Sequence, residues 1–158
     1  MSSVDALIEE LKKILNKKLI SLNKIYDITS KQKYSIINYN VDELNDSIDK
    51  KQEQIDAVNE LDNKFDAKFL ELKKDLGVDR IEQATENLEE FKVIQSFITE
   101  IQDAITRIIE LEKQNSEISR ELQTQIKERI QQTGRDKKIL HGYNPSNISS
   151  PAFFDKKK

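Results

Sequence analysis

The chain has 158 residues, no Cys and no Trp, with 36% hydrophobic and 35% charged residues and a formal net charge of -3. Length points to one domain, and the near-equal apolar and charged fractions fit long helices with narrow seams rather than an ordinary globular mix. Without Cys there are no disulfides, thiolate zinc sites or cysteine nucleophiles, which also suits a reducing cytoplasm. The charge is unevenly placed: the stretch from Gly134 onward carries +4 and the body before it -7. An acidic body argues against a general nucleic-acid binder.

The first stretch, MSSVDALIEE, has neither the basic nor the apolar region of a signal peptide, and no apolar run approaches a membrane span. The expectation is a cytoplasmic protein without stable membrane insertion. Ser2 and Ser3 can cap a first helix with Asp5 in its first turn. Ile8, Leu11, Leu15, Leu22, Ile25 and Ile36 recur at steps of three, four or seven, which predicts a helix over 3–37, roughly 50 Å long. Lys18, Thr29 and Gln32 fall on this seam and thin it toward the C-terminal half.

Asn38-Tyr39-Asn40 is the first break, because Asn tolerates left-handed backbone angles and caps helices. Asn40 followed by Glu43 reads as a variant capping box. The second helix, 41–76, carries Leu44, Ile48, Ile55, Val58, Phe65, Phe69, Leu72 and Leu76, interrupted by Lys51 and Asp62. Gly77 stands where a left-handed C-terminal cap is wanted. Lys18 and Asp62 are read as edge residues whose stems lie across the seam.

Asp79 with Glu82 is another capping pair, so a third helix starts at 79 or, if 79–88 form a separate short helix, at 89. Phe91, Ile94, Ile98, Ile101, Ile105 and Ile108 make one face, and Val93, Phe97, Ala104, Ile109 and Leu111 widen it. A band this wide is expected to be covered by two neighbours. Beyond it only Ile118, Leu122, Ile126 and Ile130 continue, a single row at steps of four. Asn115 interrupts the seam; a buried Asn would fix register, but the reading favoured here turns it to solvent where the bundle thins. The helix is expected to end at Thr133, with Gly134 after it.

From Arg135 the periodicity stops. The segment holds both Pro and the dipeptides Asn144-Pro145 and Ser150-Pro151, which disfavour helix before each proline, so 134–158 are expected to form a flexible tail. It nevertheless keeps Ile139, Leu140, Tyr143, Ile148, Phe153 and Phe154, which suits a short binding motif. The predicted architecture is all-α: an elongated antiparallel three-helix bundle or coiled coil over 1–133 with that tail. Helix three outruns its partners, leaving the row Ile118, Leu122, Ile126 and Ile130 partly uncovered as a place for a partner's amphipathic helix.

No chemistry of an enzyme is legible. The lone His141 has no Cys near it for a metal site, and no Gly-rich phosphate loop or nucleophile motif occurs. No cofactor, catalytic residue or metal ligand is predicted.

The chain resembles the FlgN family of flagellar export chaperones. The likeness lies in the opening DALIEELKKILN, the restart Asn40-Val41-Asp42-Glu43-Leu44, the late-helix stretch IIELEKQNSEISRELQTQI, and the ending with Gly-Tyr-Asn-Pro, a Ser-rich stretch and Phe153-Phe154-Asp155-Lys156. The resemblance implies a cytoplasmic, non-enzymatic protein that binds the terminal helices of hook-filament junction proteins, prevents premature assembly and delivers them to the type III export gate. It implies that client binds the later half of helix three and the segment after it, including Ile118, Leu122, Ile126, Ile130, Ile139 and Leu140. It implies a docking tyrosine for the gate, nearest to Tyr143, with Tyr34 and Tyr39 as alternatives on residue type, and a tail motif at Phe153 and Phe154. The competing class is a structural coiled-coil or oligomerisation module without a secreted client. The apolar residues of the tail and the broken seams at Lys18, Lys51 and Asp62 count against a rod.

Overall fold

A computed structural model of the chain describes residues 3–80 and 89–141, with side chains described as far as 136. Three helices make up these residues: α1, Ser3–Ile37; α2, Val41–Leu76; and α3, Glu89–His141. No described residue lies in a strand. The first two helices have the bounds that periodicity predicts. The third continues through Gly134 instead of ending at Thr133. A single internal Gly costs a helix about 1 kcal/mol relative to Ala, which the good helix formers around it offset. Whether residues 81–88 form a separate helix lies outside the described residues.

Both described helix ends close in the same way. After α1, Tyr39 N–H donates to Ile36 O at 3.2 Å and Asn40 N–H to Ser35 O at 2.9 Å. After α2, Gly77 N–H donates to Lys74 O at 3.1 Å and Val78 N–H to Lys73 O at 3.2 Å. This is the Schellman pattern, which satisfies last-turn carbonyls and needs one residue in the left-handed region. At α2 that residue is Gly77, φ 67°; at α1 it is Tyr39, φ 55°, and not either neighbouring Asn. Asn40 instead caps α2, its Oδ1 accepting from Glu43 N–H at 3.1 Å while its Nδ2 donates to Glu43 Oε2 at 2.8 Å. The box is thus reciprocal, with the return bond made to the cap's side chain.

The tight turn makes α1 and α2 antiparallel, and side-chain pairs fix their register. Ser3 Oγ donates to Asp75 Oδ2 at 2.7 Å, Glu10 pairs with Lys68 at 3.0 Å, Lys18 with Asp62 at 2.6 Å, and Gln32 Nε2 donates to Ser47 Oγ at 3.0 Å. The two residue numbers add to 78–80 in every case. Two of the three seam interruptions therefore answer each other: Lys18 and Asp62 form one ion pair across α1 and α2. Lys68 is held above the ordinary lysine pKa by its hydrogen bond to Glu10 and by the charges of Glu10 and Glu71. Pairs this open to solvent align the helices more than they stabilise them.

The main core is built from Leu7, Ile8, Leu11, Leu15, Leu22 and Ile25 of α1, Leu72 of α2, and Phe91, Ile94, Ile101 and Ala104 of α3. Phe65 and Phe69 stack at 5.6 Å between centroids against its edge. Both α2 and α3 pack principally on α1. The helix with two neighbours is thus α1, and the expected double cover of α3 is not found. Val93 and Ile109, which widen the apolar face of α3 in the sequence, are exposed, and so are Ile98 and Ile105 of the face itself. A helix packed along one side buries about one stripe, and the flanks of a wider band remain in solvent.

Candidate partner-binding surface

The far end of the bundle differs from the main core. Asn115 Nδ2 donates to the Thr29 carbonyl at 2.9 Å, which sets α1 and α3 parallel at an offset of 86 residues. At that offset the end of α1 lies level with Gln123, and α3 continues to His141, roughly 27 Å further. Around this end sits a second, small apolar cluster. Ile36 and Leu44 are buried, and Val41, Ile48, Ile118, Leu122 and Ile126 are half-buried against them.

The row singled out in the sequence is therefore real as a row and incompletely covered. Ile118, Leu122 and Ile126 rest on the α1–α2 turn, and Ile130 beyond them is half-buried. Ile139 and Leu140 continue on helical backbone, their side chains being outside the description. Tyr143, Phe153 and Phe154 lie outside the described residues. Tyr34 and Tyr39 are exposed on the turn end of the hairpin.

Between the two apolar clusters lies a layer of polar side chains from all three helices. Thr29 Oγ1 donates to the Ile25 carbonyl at 2.7 Å. Lys51 reaches from α2 to Gln32 Oε1 of α1 and to Glu112 Oε1 of α3. Asn115 is 2% exposed, so the expectation that it turns to solvent is wrong. It is buried because a carbonyl of α1 is available to it, and an unbonded amide there would be costly. Among the described residues no buried side-chain N or O lacks a hydrogen-bond partner. Thr29, Gln32 and Lys51 stand out in the sequence as polar residues on apolar seams. That they meet at one level became visible only with the register. The cover given to the α3 row by Ile36 and Leu44 was likewise missed; the signal available was that both continue their own helices' seams to the turn.

Nothing in this geometry converges on a reacting atom. Among the described residues no three His, Cys, Asp or Glu are placed to hold a metal ion, and no helix is long and apolar enough to cross a membrane. What the arrangement offers is a half-covered apolar row on a helix that outruns its partners.

The FlgN protein family matches residues 1–146. The chain belongs to this family. Its members are flagellar export chaperones for hook-associated proteins and are not enzymes. The match spans all three described helices, so the likeness seen in the opening, the restart and the late-helix stretch reflects membership. No curated protein and no solved structure matches the chain.

Proposed function

We propose that this FlgN family member is a cytoplasmic chaperone that holds the terminal amphipathic helix of a hook-filament junction protein along the outer part of α3. It thereby prevents premature assembly and delivers the client to the flagellar type III export gate. The observation that carries this reading is the half-covered row Ile118, Leu122, Ile126 and Ile130 on a helix extending past the α1–α2 turn. A client helix laid along this row completes the cover that Ile36 and Leu44 begin, and Ile139 and Leu140 add further contacts in this reading. In this reading Tyr143 contributes to gate docking, and Phe153 and Phe154 form an additional contact.

The test is a calorimetric titration of the full chain with the client's terminal helix. Ile126→Ala with Ile130→Ala is expected to weaken binding at least about tenfold, because buried anchors of an interface commonly carry 2 kcal/mol or more. The melting temperature should fall only modestly, since both side chains are half-buried at the bundle's edge. Unchanged affinity in a folded variant would remove the row from the site. Tyr143→Ala should bind client normally yet lower secretion of it; normal secretion would remove that role. A self-associating module is favoured by a different observation, the exposed flank of Ile98, Ile105 and Ile109. Sedimentation tests it: a stable dimer broken by Ile105→Glu, in a protein that binds no client helix, would support the module over the chaperone.

A further inference from the structure

The two apolar clusters of the bundle are separate bodies. Eleven buried residues form the main one and only two, Ile36 and Leu44, the distal one. The level between them is occupied by Thr29, Gln32, Ser47, Lys51, Glu112 and Asn115, drawn from all three helices and bonded to one another or to backbone. Contiguous apolar burial is what makes a fold open as one unit. A hydrogen-bonded polar layer adds little net stability per bond because water offers the same bonds when the layer parts. It also fixes register, as a buried Asn does in a coiled coil, so a parted end has one alignment to return to.

We propose that the distal end of the bundle opens as a unit of its own. In the open form the last turn of α1, the first turns of α2 and the 117–126 part of α3 come apart along the polar layer while the main core stays folded. The side chains this frees are Ile36, Leu44, Ile118, Leu122 and Ile126. Because short helical segments are marginal in water once their packing is lost, opening also melts the helix turns involved. The inference goes beyond the proposed client site and needs no partner for its test, so it can fail while that reading stands, and the reverse.

Native-state hydrogen exchange on the full chain, across denaturant concentrations below the unfolding transition, is the experiment. Amides over 36–37, 44–48 and 118–126 are expected to exchange through a shared opening at least about 100-fold more populated than the one that frees amides of 11–25 and 94–104, with a smaller denaturant dependence. Fraying of α3 from its end at His141 would not carry 36–37 and 44–48 with it, so an opening shared by all three stretches is what marks the unit. Ile8→Val should raise the main-core opening about fivefold and leave the distal exchange unmoved, because the main core around Ile8 stays folded when only the distal end opens. A single isotherm shared by both sets of amides, or an equal shift of both in Ile8→Val, would overturn the proposal.

Discussion

At the scale of single residues, the two helix ends show what a side chain costs in a left-handed position. Gly77 has φ 67°, and a Cβ built there meets no atom within 4 Å. Space is therefore not the issue, and only the backbone preference of L-residues resists substitution. Gly77→Ala is expected to lower stability by about 1 kcal/mol, measured by urea denaturation, because left-handed geometry costs a non-Gly residue about 1–2 kcal/mol and the Gly it replaces gives back some chain entropy. A loss near zero would mean that the turn re-forms differently. Tyr39 already bears this cost at φ 55°. It is tolerated because the hydrogen bonds from Tyr39 and Asn40 to the last turn of α1, and the cap Asn40 sets on α2, both depend on that bend.

At the scale of elements, α1 is the hub, with apolar residues buried against both other helices. Leu11 and Leu72 are fully enclosed, whereas Ile109 on the outer flank of α3 is 63% exposed. Leu11→Ala should cost about 2–5 kcal/mol, the range for a cavity in a packed core. Ile109→Ala should stay within about 0.5 kcal/mol, as surface changes do. Chemical denaturation of the two variants compares them directly, and a similar loss in both would mean that the flank of α3 is covered in solution. Asn115 belongs to this scale too. Asn115→Ala removes a donor to Thr29 O, a carbonyl that keeps its own helical bond within α1, and should destabilise by about 0.5–1.5 kcal/mol, the net worth of one hydrogen bond.

At the scale of the molecule, α3 sets the long dimension. Its 53 residues span roughly 80 Å, while a compact chain of this length would have a radius of gyration of about 15 Å. Small-angle scattering should give a radius of gyration well above that value. A compact value would show that the projecting part of α3 folds back, and the surface assigned to a client helix would then be occupied by the chain itself.

Sequence periodicity determined the helical class, the bounds of α1 and α2, the capping roles of Asn40 and Gly77 and the half-covered row on α3. Each of these is local: caps need particular residues within a few positions, and an amphipathic helix repeats its apolar side chains every turn. The absence of enzyme motifs and the resemblance to the FlgN family were legible for the same reason, being written in short stretches. What the tertiary structure decided is everything that depends on register between helices. Periodicity says that Lys18, Asp62, Thr29, Gln32, Lys51 and Asn115 sit on seams, but not that Lys18 meets Asp62 or that the others share one level. It cannot tell which helix lies in the middle either. An apolar band as wide as that of α3 reads as doubly covered, yet α2 and α3 both pack on α1, and the outer flank of α3 is left to solvent. A sequence carries the preferences of one helix at a time, and which faces meet is set by the alignment that buries apolar area while bonding every polar group caught between.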